Sequence, residues 1–245
     1  MRTAAFIAAA LALALTAPVA AQTYVYEEVV EEWVDTGTQR FVSPRLAEAE
    51  QAAIAAFGPF RVLDGTRAAL VGVTDARSPA QFAAMLARYP QLTTIEFIDC
   101  PGTYDDRANL AVGRLIRSHG LATVVPEGGS VRSGAVELFL AGASLEIADG
   151  AEFAVHAWLD DRGLSANDYS ADSPEHAKYL GYYTEMGMEP QAAARFYAMT
   201  NSVPFEDAMW LSGAEMRDWI GVEAPQAEIL QQPRLAYLDL GPALN

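Results

Sequence analysis

Residues 92–125 read LTTIEFIDCPGTYDDRANLAVGRLIRSHGLATVV, and this stretch decides the fold. It begins with an apolar run of strand length and turns through a Pro-Gly pair. A helical pattern follows at 104–120, with acidic residues at its start and Gly120 at its end. A second apolar run, 121–125, comes directly after it. Strand, helix and strand in this order predict a right-handed β-α-β unit with parallel strands.

The same alternation continues on both sides of this unit. An apolar run at 67–74 and a capped amphipathic pattern at 78–90 precede it, and a helical pattern at 132–142 follows it. Strands that alternate with helices in this way are typical of a parallel sheet covered by helices. We therefore predict an α/β fold of repeated β-α-β units with a mainly parallel sheet.

Outside this region the pattern changes. A helix is predicted from Ser43, as its cap, to Gly58, as its stop. Residues 144–158 alternate like a strand, and Asp149-Gly150 in their middle indicates a hairpin or a tight corner. Helical patterns that predict C-terminal helices follow at 174–187, 190–200 and 213–221.

The N-terminus has the pattern of a secretory signal peptide. A basic start at Arg2 is followed by a short apolar run and by small residues that end at Ala21. The alternative is a retained membrane anchor, but the apolar run is short for a bilayer span. We expect cleavage after residue 21 and a periplasmic or secreted protein. The predicted organisation is a signal peptide (1–21), an N-terminal arm and helix (22–64), a main domain (65–222) and a tail (223–245).

Composition excludes several classes of function. The chain has 32 acidic and 16 basic residues and a net charge of −16, so no nucleic-acid partner is expected. Its three histidines lack the spacing of metal ligands, and we predict no metal and no cofactor. The single cysteine, Cys100, cannot form a disulfide within the chain. It is interpreted as a packed thiol, with an intermolecular link or a nucleophile as less favoured alternatives.

Two loops and one histidine suggest a catalytic site. Ser133 lies where a glycine-rich loop enters a helix, and the Pro101-Gly102 turn enters the preceding helix. Both loops follow strands, and sites of parallel sheets form at the carboxyl ends of strands. A reactive serine needs a base and amide donors for the oxyanion, and His156 on an apolar strand is the candidate base. Read alone, Ser133 is also a good helix cap and the turn is ordinary.

The order of these motifs resembles the ClpP/crotonase superfamily, and most closely Clp-like serine peptidases of the bacterial periplasm. The resemblance covers residues 65–222. It is carried by DCPGT (99–103), LATVV (121–125), GGSVRSGAVELFLAG (128–142), ADGAEFAVHAW (148–158) and WLSGAEM (210–216). It implies a ClpP-like fold with closing C-terminal helices and a serine peptidase activity.

The resemblance also implies roles for individual residues. Ser133 would be the nucleophile and His156 the general base. The oxyanion amides would come from Gly134 and from the turn at Gly102 and Thr103. The acid would be Asp207, with Glu206 as a rival and Asn201 as a weak orienter.

Two departures from the family pattern bear on activity. Thr103 replaces a glycine, and its Cβ could crowd the turn. Arg132 directly precedes the serine, where it would bind a substrate carboxylate or be solvated.

These observations lead to two hypotheses. The first is an exported serine hydrolase, most simply a peptidase, that acts on peptides or unfolded chains without an ATP-dependent unfoldase and assembles as a homo-oligomer. The second is a non-catalytic binding or assembly protein with the same fold, which the two departures and the ambiguous acid favour.

Overall fold

The computed structural model describes residues 44–224 of the chain. Outside this range lie the predicted signal peptide, the predicted N-terminal arm as far as residue 43, which includes the predicted cap Ser43, and all but the first two residues of the predicted tail. Within it, the strands are β1 (Ala55–Phe57), β2 (Phe60–Val62), β3 (Arg67–Leu70), β4 (Thr94–Phe97), β5 (Asp99–Cys100), β6 (Ala122–Val125), β7 (Ser130–Arg132), β8 (Leu145–Ile147), β9 (Glu152–Val155) and β10 (Met209–Ser212). The helices are α1 (Pro44–Ala52), α2 (Ser78–Arg88), α3 (Asp106–Ser118), α4 (Ala135–Leu140), α5 (Pro174–Glu185), α6 (Pro190–Thr200) and α7 (Gly213–Ile220). A short 3-10 helix, Ala166–Asp168, precedes α5.

The predicted α/β class with β-α-β units is confirmed, and its strands are divided between two sheets. The first sheet has the order β1-β2-β3-β4-β6-β8, and the second has the order β10-β9-β7-β5. Strands β3, β4, β6 and β8 run parallel, as do β5, β7 and β9. Strands β4, β6 and β8 each continue, after a break, into β5, β7 and β9. The second sheet thus repeats the order of the first.

The break between β8 and β9 decides whether Asp149-Gly150 forms a hairpin or a tight corner. The two strands belong to different sheets, so this pair forms a tight corner and not a hairpin. The glycine-rich loop before Ser133 also differs from the predicted pattern, because its last residues form β7 and α4 begins only at Ala135.

The predicted helix from Ser43 to Gly58 is wrong in its second half. Helix α1 ends at Ala52, and residues 55–57 form a strand that pairs antiparallel with β2. Gly58 does not stop a helix but forms the turn of this hairpin, with a φ of 59°. The hairpin then adds to β3, so residues 55–62 are part of the first sheet.

Aromatic side chains fix α4 between the two sheets. Phe139 of α4 packs edge-on against Phe97 of β4 at 5.8 Å and against Phe153 of β9 at 5.5 Å between ring centroids. All three side chains are fully buried. Edge-to-face pairs of this kind contribute about 0.5–1.5 kcal/mol beyond area burial. The N-terminus of α4 is thereby held above the ends of β5, β7 and β9.

None of the helices within residues 44–224 is both long and apolar enough to cross a bilayer. Helix α3 buries a stripe of five residues at helical spacing, namely Asn109, Leu110, Val112, Gly113 and Ile116. At Gly113 a Cβ would lie 1.8 Å from the hydroxyl oxygen of Tyr182, so the glycine allows α5 to approach α3.

Candidate active site

The second sheet places the three predicted site segments side by side. Strands β5, β7 and β9 are neighbours and parallel, so their carboxyl ends meet at one edge of the sheet. Gly102 follows β5, Ser133 follows β7 and His156 follows β9. Since Arg132 pairs with Ala154, Ser133 and His156 leave adjacent strands nearly level with each other. This edge is where parallel sheets form binding sites.

Ser133 has a backbone conformation that marks it as unusual. Its φ is 49°, and it is the only residue other than glycine with a positive φ in the described part of the chain. Such a conformation costs energy and is found preferentially at functional sites. Helix α4 is capped by Gly134 without any side-chain hydrogen bond, so Ser133 is not the N-cap. Its hydroxyl forms no hydrogen bond to residues 44–224 and lines a cavity of about 1370 Å³.

The turn after β5 presents one free amide. Gly102 has a φ of 130°, and its carbonyl accepts a hydrogen bond from the amide of Thr74 at 3.1 Å. Because a trans peptide is planar, the Thr103 N–H of the same unit points away from Thr74. That N–H donates to no acceptor among residues 44–224. The strained φ falls on Gly102 and not on Thr103, so the threonine fits the turn.

The entry to α4 presents a second free amide by the same geometry. The carbonyl of Ser133 accepts from the amide of Val136 at 2.9 Å, which directs it into the helix. The Gly134 N–H at the other end of that peptide therefore points out of the helix, and no acceptor for it lies in the described chain. Gly102 is close to Ser133, because a Cβ at Gly102 would lie 3.3 Å from the Ser133 Oγ.

The imidazole of His156 is oriented by the main chain. Its Nδ1 lies 2.9 Å from the carbonyl oxygen of Ala157. A carbonyl only accepts, so Nδ1 carries a proton. In the neutral form of the imidazole the lone pair then lies on Nε2, which is the atom that a general base needs to have free. The ring also packs edge-on against Phe205, with 4.8 Å between centroids. His156 lines the same cavity as Ser133, although the two side chains are not hydrogen-bonded to each other.

The structure does not bring the predicted acid onto this imidazole. Asp207 and Glu206 are both exposed, and no carboxylate within residues 44–224 hydrogen-bonds to His156. Asn201 donates from Nδ2 to the carbonyl of Tyr197 at 2.7 Å, and its buried Oδ1 has no partner in the described chain. Asn201 lines the cavity but does not contact the imidazole nitrogens.

Arg132 and Cys100 have structural contacts. The guanidinium of Arg132 donates to Asp99 and to Ser130, each at 2.6 Å, and so ties β7 to β5. It is thus neither free for a substrate nor solvated, which were its two predicted roles. Cys100 is fully buried, its thiol donates to the carbonyl of Leu70, and burial raises its pKa. A neutral, inaccessible thiol is a packed thiol and not a nucleophile.

The sequence did not indicate the acidic wall of the cavity. Glu137 in the first turn of α4 accepts a hydrogen bond from the Tyr183 hydroxyl at 2.7 Å, and burial raises the pKa of Glu137 to about 7. Asp106 at the start of α3 accepts from the Tyr179 hydroxyl. Both carboxyls lie on helices that border the cavity. No group of three or more metal-binding side chains lies together in residues 44–224.

The sequence analysis also did not identify Thr74 and Asn109. Thr74 hydrogen-bonds to the loop that carries the Thr103 amide, and Asn109 hydrogen-bonds to the loop that carries the Gly134 amide. Asn109 lies on the buried stripe of α3, where the other members are apolar or glycine. A polar residue on an apolar helix face is a signal that could have been found. Thr74 is the last residue of an apolar run, and nothing in the pattern distinguishes it.

No protein-family model and no curated protein matches the chain. Among solved structures, it is similar to a mutant of the 1510-N membrane-bound stomatin-specific protease, with 16% identity over 65% of this chain and 76% of that one, and a TM-score of 0.43. A second mutant of that protease, in complex with a substrate peptide, gives 15% identity over 66% and 76% and a TM-score of 0.42. A ClpP1 mutant from Listeria monocytogenes gives 14% identity over 66% and 94% and a TM-score of 0.47. ClpP, whose family the sequence resembles, is thus among the structures that this chain is similar to.

Proposed function

We propose that this chain is a serine hydrolase, most simply a peptidase, that acts by acyl transfer. The observation that carries the proposal is the meeting of three strand ends, which bring a strained serine, a histidine and two free amides to one cavity. The signal-peptide pattern of residues 1–21 supports export as part of the proposal. Substrates are then peptides or unfolded chains, handled without an ATP-dependent unfoldase.

The proposed chemistry uses only groups of this chain and water. Ser133 Oγ attacks the carbonyl carbon of the scissile bond, and its proton moves to Nε2 of His156. The oxygen that becomes negative is stabilised by the amides of Thr103 and Gly134. His156 then gives the proton to the leaving amine, and the acyl group stays on Ser133. Water repeats the sequence and releases the acid, which restores the serine.

Labelling with a fluorophosphonate tests this proposal. The phosphorus reacts with an activated serine hydroxyl, so the wild-type protein and Cys100→Ala should be labelled, and Ser133→Ala should not. His156→Gln should lower the labelling rate by about 100-fold or more, as expected for loss of a general base. Circular dichroism confirms that each variant is folded. Unchanged labelling of Ser133→Ala would refute the assignment.

A second candidate is a binding or assembly protein without turnover. One observation favours it, namely that the imidazole of His156 is held by a main-chain carbonyl and by no carboxylate of the described chain. This candidate predicts no labelling of the folded wild-type protein between about pH 5 and pH 9. It also predicts that an unfolded polypeptide such as reduced casein binds without being cleaved.

A further inference from the structure

We propose that Thr74 and Asn109 are positioning residues that set the distance between the two amides of the oxyanion site. This inference rests on the proposed function, because it concerns how that site is kept in shape. Neither residue touches the cavity's reacting groups through its own side chain. Both act through the main chain of the loops that carry the amides.

The two side chains are among the most deeply buried polar groups of the described chain. Thr74 is 0% exposed and Asn109 is 1% exposed. A buried hydroxyl or amide is retained only where it is hydrogen-bonded, and its partners show what it holds. Here the partners belong to the loops at both sides of the site.

One continuous chain of hydrogen bonds joins the two loops. The amide of Thr74 donates to the carbonyl of Gly102 at 3.1 Å. The Thr74 hydroxyl donates to Oδ1 of Asn109 at 2.8 Å, and Nδ2 of Asn109 donates to the carbonyl of Gly134 at 2.5 Å. Because Gly134 offers a carbonyl and Thr74 a hydroxyl, the orientation of the Asn109 amide is fixed by its partners.

Each end of this series of hydrogen bonds holds a residue of the oxyanion site in place. At one end, Thr74 also accepts from the amide of Tyr104 at 2.9 Å, so it bonds to the main chain on both sides of Thr103. At the other end, Gly134 is enclosed, since a Cβ there would lie 2.5 Å from the Thr103 Cγ2 and 3.2 Å from the Asn109 Nδ2. Displacing Asn109 therefore moves Gly134 relative to Thr103.

A buried threonine elsewhere in the sheet provides a matched control. Thr123 of β6 is also 0% exposed, and its hydroxyl donates to the carbonyl of Phe139 at 2.7 Å. It has the same chemistry as Thr74, a buried hydroxyl bonded to another segment, but it lies outside the two loops. Replacing either threonine with valine removes one buried hydroxyl without changing the shape of the side chain much.

The experiment compares Thr74→Val, Thr74→Ser and Thr123→Val with the wild type on a peptide ester. We expect Thr74→Val to lower kcat by about 10- to 100-fold with KM changed less than about 2-fold, since a displaced donor acts in the transition state. Thr74→Ser should restore kcat to within about 3-fold. Thr123→Val should keep kcat while losing similar stability. Equal kcat for Thr74→Val and Thr123→Val would overturn the proposal.

An NMR measurement separates this proposal from the proposed function. The amide peak of Gly134, two hydrogen bonds away from the Thr74 hydroxyl, should shift in Thr74→Val and keep its position in Thr123→Val. An unmoved Gly134 peak in folded Thr74→Val would overturn the coupling even if the wild type is an active hydrolase. A shifted peak in a protein that no fluorophosphonate labels would support the coupling and refute only the hydrolase.

Discussion

The replacement Glu137→Gln tests the buried carboxyl of the cavity through the pH dependence of stability. Burial raises the pKa of Glu137 from 4.5 to about 7, the charge of Asp106 adds to this rise, and the hydrogen bond from Tyr183 opposes it. A carboxyl with a higher pKa in the folded chain binds more protons there than in the unfolded chain. Its stabilisation is therefore complete in acid and is lost as the pH rises from about 4.5 through about 7.

The size of the effect follows from these two pKa values. At about 1.4 kcal/mol per pKa unit, the difference corresponds to about 3 kcal/mol over the whole range. Part of this loss of stability occurs below about pH 5 and is not seen between about pH 5 and pH 8. Between about pH 5 and pH 8, the free energy of unfolding of the wild type should fall by about 2 kcal/mol more than that of Glu137→Gln. The glutamine keeps an oxygen that accepts from Tyr183, so the packing of the site is preserved.

Urea denaturation followed by circular dichroism at both pH values gives these free energies. Glu146→Gln, at an exposed position of β8, controls for the loss of one negative charge and should follow the wild type. Equal pH dependence in the wild type and in Glu137→Gln would refute the reasoning. It would mean that the carboxyl is hydrated in solution and does not lie against Tyr183 as described.

Two further predictions concern the site itself. Gly102→Ala puts a methyl group 3.0 Å from the Cβ of Ser133 at a φ of 130°, so fluorophosphonate labelling should slow by about 10-fold or more. Gly120 has a φ of 65° and lies in open space, so Gly120→Ala should lower the free energy of unfolding by about 1 kcal/mol and keep the labelling rate. Equal labelling rates for the two variants would contradict the steric argument. Asp207→Asn should change the rate less than about 3-fold, because His156 is oriented by a main-chain carbonyl. A loss on the order of 10⁴-fold would instead identify Asp207 as the orienting acid.

The β-α-β units could be predicted because their periodicity is long and clear. The apolar runs and helical patterns from 67 to 142 give each element a distinct period. The second sheet could not be predicted, because β5 and β7 contain only two and three residues. A strand that short has no period of its own. Its pairing is decided by the neighbouring strands, and here also by the ion pair between Arg132 and Asp99.

The site was predictable only as far as the chain order determines it. The prediction that Ser133 and His156 share a site rested on the order and spacing of the motifs that resemble the ClpP/crotonase superfamily. The structure places both residues at the carboxyl ends of adjacent parallel strands. The proposed roles of Thr74 and Asn109 depend on hydrogen bonds between residues that are 25 to 35 positions apart in the chain. Such contacts leave no local pattern, apart from the polar Asn109 on the apolar face of α3. The same applies to the pairing of Glu137 with Tyr183, which joins α4 to α5.

The strand topology determines near which sheet edge Asp207 lies but not the direction of its side chain. Strand β10 runs antiparallel to β9 with Met209 opposite Val155, so the chain before Met209 lies at the sheet edge where His156 lies. This places Asp207 near that edge by topology alone. The direction of its side chain is set by the preceding loop, in which Phe205 packs against the imidazole while Asp207 is exposed. Because Nδ1 is bonded to the carbonyl of Ala157, the imidazole is oriented by the main chain that directly follows β9. Loss of the loop's acid would then leave the tautomer of the base unchanged, and this is the distinction that Asp207→Asn measures.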